Sequence, residues 1–318
     1  AYRSERNPID TFLSLLPGAR AQIAVPIHRE DDISGVIFLE STHPETASDE
    51  VLAFLSRLSD HASIAIANAR LYAEVQSANL AKSDFVSFVS HELKTPMTSI
   101  KGFTDLLFSG VVGPVNDTQR NFLSTIRSNV DRMVTLVTDL ADVSRIEAGR
   151  LRLDFSAVPV TEVVEEVTHS IHSQVEEKKQ SMHVQLPAGL PSIWGDRTRL
   201  IQIITNLVSN AHKYSPEGGS FTICAEVATN AWDEDGPPKV LHISVQDSGC
   251  GISEQDQKKI FQKFFRSDDQ KVRDVPGTGL GLNITKQLVE MQGGKIWFVS
   301  QLRVGTTFHF TVPIAESV

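Results

Sequence analysis

No proline falls between Ser48 and Thr95, and within that run Leu55, Leu58, Ala62, Ala65, Ala69 and Tyr72 step by 3,4,3,4,3. That spacing is a heptad seam, so the segment reads as a long helix that must lay one apolar edge against other helices. Ser48 suits the N-cap, and Asp49 and Glu50 suit the positive end of the helix dipole. Pro96 is expected to be the first break, with Ile100, Phe103 and Leu107 continuing a helical stripe beyond it. Residues 109–116, Ser-Gly-Val-Val-Gly-Pro-Val-Asn, carry the turn chemistry of a helix–helix connection. A second helix then runs to about Gly149, where Phe122, Ile126, Val130, Met133, Val137 and Leu140 step by 4,4,3,4,3. Two helices with one seam each are buried most simply when two chains pair them into an antiparallel four-helix bundle.

Different patterns flank this hairpin. Residues 22–27 and 35–39 read as two strands joined by the polar turn Arg29-Glu30-Asp31-Asp32, too little to bury a core alone. They look like the end of a larger sheet domain. After Gly149 the chain turns to mixed α and β. Helices are expected at 160–178, 196–213 and 280–292, and strands at 181–186, 220–228, 239–246, 294–300 and 305–313. A polar, Gly-rich stretch fills 247–279, and 230–238 reads as a surface loop. This part is an α+β domain.

Composition narrows the function. At 318 residues with 41% apolar content, the chain is long enough for two or three globular domains. Its net charge of −9 argues against nucleic acid or an anionic membrane as the partner. No apolar run approaches the roughly 20 residues of a membrane span. Two cysteines, Cys224 and Cys250, make no disulfide framework and fit a reducing compartment, so the fragment is expected to be cytoplasmic.

Four clusters carry chemistry. In Phe85-Val-Ser-Phe-Val-Ser-His91-Glu92-Leu-Lys-Thr95-Pro96, a carboxylate adjoins a histidine and a hydroxyl follows one turn later on the same face. A lone helical histidine is usually structural, but neutral imidazole is a nucleophile and a neighbouring carboxylate can take its ring proton. Asn206 and Asn210 project from one face of a helix that continues to Lys213 and Tyr214; alone, they would be two exposed amides. Asp247-Ser-Gly249-Cys-Gly251-Ile252 follows a strand and could be a simple turn. Gly277-Thr278-Gly279-Leu280-Gly281-Leu282 leads into a helix, where glycines free backbone N–H groups for phosphate. Its GxGxG spacing after a polar stretch is not the dinucleotide-fold fingerprint.

In this order, with Phe261-Gln-Lys-Phe264-Phe265-Arg266 between the last two, the clusters resemble the sensor histidine kinases of two-component systems over residues 81–314. The resemblance implies a dimeric antiparallel bundle carrying His91 and an α+β sandwich of the GHKL type that binds ATP and Mg²⁺. His91 would be the phosphoacceptor, Glu92 would accept or orient its proton, and Thr95 would hold water for dephosphorylation of the partner. Asp247 would accept from the adenine amino group, and Asn210 would bind Mg²⁺. Asn206 and Lys213 would face the phosphates, with Tyr214 along the nucleotide. Gly249 and Gly251 would allow close backbone approach, and Ile252 would join the nucleotide-binding residues. Residues from about Arg266 to Gly281 would form a lid, and Gly305-Thr-Thr307-Phe308 would line the base pocket. Ala24–Ile27, Gly35–Leu39 and the helix ending at Tyr72 resemble the C-terminal part of a GAF sensory domain, whose front would precede this chain.

The expected organisation is therefore 1–72 as the GAF-like part with a connecting helix, 73–150 as the dimerising phosphotransfer hairpin and 151–318 as the ATP-binding domain. The implied activity is a protein-histidine autokinase that passes phosphate to an aspartate on a separate response regulator. Two other classes stand beside it, a signalling scaffold with a silent catalytic domain and a hydrolysing ATPase of the same fold. The second usually carries a glutamate base where this chain has Asn206, and an amide cannot act as a general base. The heptad run toward His91 implies control by helix register.

Overall fold

The computed structural model describes residues 16–29, 32–230, 238–273 and 275–315, which fall into two compact units divided between Ala81 and Lys82. Residues 30–31 of the first expected turn and 231–237 of the expected surface loop lie outside the described residues.

In the first unit, β1 (Ala21–Arg29) and β2 (Asp32–Ser41) pair antiparallel from Ala21↔Ser41 to Arg29↔Asp32, with a register shift at Ile27/His28. Both strands run longer than their apolar cores because the flanking polar residues keep the ladder. The first part of α1 (Asp49–Phe108) covers them. Leu55 is buried with Ile23 and Val25, and Ser59 Oγ donates to the Pro26 carbonyl at 2.6 Å. Ser48 is the cap: its Oγ accepts from Val51 N at 3.3 Å. Of the heptad seam only Leu55 is buried; Leu58 and Tyr72 remain 44% and 73% exposed, so the seam lacks a partner among the described residues.

The second unit begins with the rest of α1. Pro96 does not break it, contrary to expectation. The ring removes one backbone donor, but Thr98 Oγ1 bonds the Lys94 carbonyl at 2.9 Å and Met97 is buried against α2 (Asp117–Glu147), so the helix is held on both sides of the defect. A capping box starts α2: Asn116 Oδ1 accepts from Gln119 N (2.8 Å), and Asn116 N donates to Gln119 Oε1 (2.9 Å). Val130 and Val137 bury with Met97, and Lys101–Asp131 (2.6 Å) and Arg127–Asp105 (3.2 Å) bridge the two helices.

The chain continues through β3 (Ser156–Val158), α3 (Val160–Glu177), β4 (Ser181–Gln185), β5 (Ile193–Gly195), α4 (Arg197–Tyr214), β6 (Ser220–Thr229) and β7 (Lys239–Asp247). It ends with the short helices α5 (Glu254–Gln257) and α6 (Gln270–Arg273), then α7 (Gly281–Met291), β8 (Ile296–Gln301) and β9 (Gly305–Pro313). A five-stranded sheet of order β4-β6-β7-β9-β8 has one parallel pair, β4–β6. On α4, Leu200, Ile203, Ile204, Leu207, Val208 and Ala211 fall on one stripe and are buried, which explains why this segment is a helix and which face meets the sheet. They join Val163 and Val167 of α3, Leu288 of α7, and Ile223, Ile243 and Phe310 of the sheet in one core. The result is a two-layer α/β sandwich. Its extra two-stranded ladder, β3–β5, was not expected, because three-residue strands leave no periodicity to read.

Candidate functional site

A cleft of ≈ 1860 Å³ opens between α4, the end of β7, the glycine loop before α7 and the polar stripe of α2. Asp247 ends β7 inside it. Its Oδ1 accepts from the backbone N–H of Gly249 (2.9 Å) and of Thr306 (3.1 Å), which leaves the other oxygen for a ligand. Burial raises its pKa, and the two N–H bonds pull it back. Gly249 itself packs behind the carboxylate: a Cβ there would stand 2.8 Å from Tyr214 O. Gly251 has φ +67°, and a Cβ would meet Gln301 O at 2.0 Å. Ile252 lines the cleft with its N–H bonded to Ser300 Oγ at 2.9 Å.

The opposite wall is α4. Asn206 lines the cleft, but its amide already donates to Thr285 Oγ1 on α7 at 2.7 Å. Asn210, one turn on, has no side-chain hydrogen bond among the described residues and presents a free amide oxygen. Burial lowers the Lys213 pKa, partly offset by the charge of Asp139, and raises that of Tyr214. Gly277, Thr278, Gly279, Gly281 and Leu282 form the floor. Gly279 sits at φ +72° against Phe264 and Phe265, while a Cβ at Gly277 would touch nothing. Arg266 borders the cleft, yet its Nη2 donates to the carbonyls of Val272 (3.0 Å), Arg273 (3.1 Å) and Val275 (2.6 Å). Those bonds tie it to the expected lid segment, and its charge still acts on Tyr214; residue 274 of that segment lies outside the described residues.

Three expected contacts lie elsewhere. Thr307 is the clearest correction: β9 alternates, so Thr306 and Phe308 face the cleft and Thr307 faces the other side of the sheet. Phe261 packs edge-on to Phe298 at 5.9 Å, and Leu280 is 1% exposed in the core. Neither lines the cleft.

The histidine cluster is separate. His91 is 79% exposed on α1, with Nδ1 3.3 Å from Glu92 Oε1; Thr95 Oγ1 bonds the His91 carbonyl at 3.4 Å. None of the three lines the cleft. What does enter the cleft from the hairpin is a stripe the motifs did not include: Asp131, Thr135, Asp139 and Asp142, spaced 4,4,3 along α2. Asp139 Oδ2 accepts from Thr278 Oγ1 at 2.9 Å, and buried Asp142 accepts from Arg199 (3.2 Å) and Gln202 (2.9 Å) of α4. Lys263 pairs with Glu147 at the end of the same helix.

A helical hairpin with an exposed His–Glu pair, joined to a sandwich with a polar cleft floored by glycines, defines the class of protein-histidine kinases. Residues 81–149 match the His Kinase A (phospho-acceptor) domain, and residues 195–316 match the histidine kinase-, DNA gyrase B- and HSP90-like ATPase. The chain is 36% identical over 238 residues to the signal transduction histidine-protein kinase BarA of Escherichia coli, covering 74% of this chain and 25% of that one. It is 31% identical over 322 residues to the circadian input-output histidine kinase CikA of Thermosynechococcus vestitus, covering 92% of this chain and 43% of that one. Among solved structures, full-length ShkA in complex with AMPPNP superposes with a TM-score of 0.59 at 27% identity, covering 74% of this chain and 46% of that one. The chain belongs to the sensor histidine kinase family. It spans less than half the length of these relatives.

Proposed function

We propose that the protein is an ATP-dependent autokinase that phosphorylates His91 and passes the phosphoryl group to an aspartate of a separate response regulator. The observation that carries this reading is the presence, in one chain, of the exposed His91–Glu92 pair and the Asp247 cleft. With Nδ1 turned to Glu92, the lone pair on Nε2 is free. It attacks the γ-phosphorus, the bond to the ADP oxygen breaks, and the Nδ1 proton passes to Glu92, leaving an anionic phosphoryl group on a neutral imidazole ring. Thr95, one turn along, would orient water for hydrolysis of the regulator's phosphoaspartate.

In the cleft, the free Asp247 oxygen accepts from the adenine amino group, a donor edge that an ionised carboxylate selects. Lys213 faces the phosphates. Asn210 offers an unpartnered hard oxygen, and among the described residues no cluster of three His, Cys, Asp or Glu competes for a metal. That donor set fits Mg²⁺ held mostly by nucleotide phosphates and water, which supplies charge neutralisation when bound. Since His91 does not line the cleft, transfer requires the sandwich to leave its contacts with Asp139 and Asp142 of α2.

Residues 1–72 serve as the GAF-like end of a sensor, 73–150 as the dimerising hairpin and 151–318 as the ATP-binding domain. A second copy would cover Phe85, Phe103 and Phe122, each about two-thirds exposed in one chain (68%, 68% and 66%). Among the described residues no helix is long and apolar enough to cross a membrane.

The test is incubation with Mg²⁺ and γ-labelled ATP beside His91→Ala. Label that survives alkali, is lost in acid and is missing from the variant supports the reading. Free phosphate released equally by both proteins would favour a hydrolysing ATPase instead.

A further inference from the structure

The last turn of α4 supplies Lys213 and Tyr214 to the cleft, and it is held from behind by two residues outside every motif. Lys178, at the C-cap of α3, turns its ammonium toward α4. Its Nζ donates to the carbonyls of His212 (2.8 Å), Lys213 (3.1 Å) and Ser215 (2.7 Å). Three ammonium protons meet three carbonyls, so the group is saturated. Gln180, only 8% exposed, completes the clamp. Its Nε2 donates to the carbonyls of His212 (3.1 Å), Ser215 (3.0 Å) and Pro216 (3.0 Å), and its Oε1 faces His212 Nδ1 at 2.7 Å.

The end of a helix leaves carbonyls without backbone donors and carries a partial negative charge. At α4 that charge would sit beside the polyanionic end of a nucleotide. A cation placed there both occupies the carbonyls and offsets the charge. The backbone it fixes has no slack on its other side, because Tyr214 O stands 2.8 Å from where a Cβ on Gly249 would be, next to Asp247. A shift in the 212–216 backbone would therefore move Lys213, Tyr214 and the Asp247 turn together.

We propose that Lys178, seconded by Gln180, is a positioning residue for nucleotide binding that acts through Lys213 and Tyr214 without touching the ligand. This rests on the cleft being the ATP site. It differs from a purely structural cap in predicting that the effect is routed mainly through Lys213, the charged member of the pair, with only a small remainder through Tyr214.

The experiment measures the Kd of a non-hydrolysable ATP analogue with Mg²⁺, alongside thermal unfolding. The proteins are the wild-type chain, Lys178→Met, Lys178→Arg, Lys213→Met and the double variant Lys178→Met/Lys213→Met. Lys179→Met is the charge control, since among the described residues Lys179 pairs with surface Glu217 at 2.7 Å. Lys178→Met is expected to raise Kd about tenfold, the size of one lost charge-assisted hydrogen bond. Lys178→Arg should recover most of that, and Lys179→Met should bind as wild type. In the Lys213→Met background, adding Lys178→Met should cost no more than about twofold. Unchanged affinity in Lys178→Met, or a loss that adds in full to that of Lys213→Met, overturns the proposal. If Lys178→Met does not fold, Lys178→Gln takes its place with a severalfold loss expected and unchanged affinity again decisive. A wild-type chain that binds no analogue sinks the ATP-site reading instead.

Discussion

The hydroxyl of Thr278 donates to the carboxylate of Asp139, Oγ1 to Oδ2, at 2.9 Å. The same oxygen accepts from Leu280 N at 3.2 Å, so the glycine loop and the hairpin helix share one hydrogen-bonded hydroxyl. If the cleft holds ATP as proposed, Asp139 occupies the Thr278 hydroxyl that a phosphate oxygen would otherwise meet, and its charge also acts on Lys213. A triphosphate entering the cleft must displace this carboxylate or be repelled by it. Asp139→Asn is therefore expected to tighten binding of an ATP analogue by about fivefold, on the order of 1 kcal/mol for removing one like charge in a partly screened site. Titration at two salt concentrations checks it, with the gain shrinking at high salt. Weaker binding by the variant would mean that Asp139 supports the nucleotide site.

Asp247→Asn separates charge from shape. The amide oxygen can still accept from Gly249 N and Thr306 N, so the turn should keep its form. Its NH₂ would then face the adenine amino group, donor against donor. Nucleotide affinity is expected to fall about 10- to 100-fold with little change in melting temperature. The wild-type protein should also lose affinity as pH falls. Burial raises the Asp247 pKa, so the acceptor form is lost at a pH above the ordinary aspartate value. Isothermal titration across pH should show that acidic limb in the wild type and not in the variant.

Much of this site can be read from residue order, because its parts are local. Asn206 and Asn210 share a face by helical spacing, and Asp247 with its glycines follows a strand within one short string. The errors fall where distance or parity decides. Choosing Thr307 over Thr306 is a slip of one residue, and in a strand one residue exchanges the two faces of the sheet. Arg266 does border the cleft, but its carbonyl partners, Val272, Arg273 and Val275, could not be read because they belong to a segment without periodicity. The Asp139–Thr278 contact joins residues 139 apart and depends on how α2 docks on the sandwich. The polar 4,4,3 stripe on α2 was the only hint of it. Pro96 was overread, since packing by Met97 outweighs one missing donor.

Two glycines of the loop before α7 should respond differently to the same substitution. Gly277→Ala places a methyl where nothing lies within 4 Å, so near-wild-type stability and nucleotide affinity are expected. Gly279→Ala forces a left-handed backbone on a Cβ and drives it to 2.8 Å from Phe264 C. A cost of about 1–2 kcal/mol from the backbone alone, plus the clash, should lower the melting temperature and open the loop to proteolysis. Equal behaviour of the two variants would contradict the geometry of the loop.

The outer face of the sheet carries a charge-sensitive stack. His242 lies 5.2 Å from His309 and 5.3 Å from Trp297, ring centre to ring centre, with His242 Nδ1 3.1 Å from Glu226 Oε1 and His242 Nε2 3.1 Å from His309 Nδ1. Burial lowers the His309 pKa first and the neighbouring His242 adds to it; burial lowers His212 as well, with Lys178 and Lys213 contributing. Both imidazoles are thus easier to protonate in the unfolded chain. Stability should be full above the ordinary histidine pKa of about 6.5 and fall as pH drops below it toward the folded values. His309→Gln removes one of these two rings, so the loss below pH about 6.5 should become shallower. Urea unfolding of wild type and variant at several pH values in that window measures the slope, and parallel slopes would remove His309 from the account.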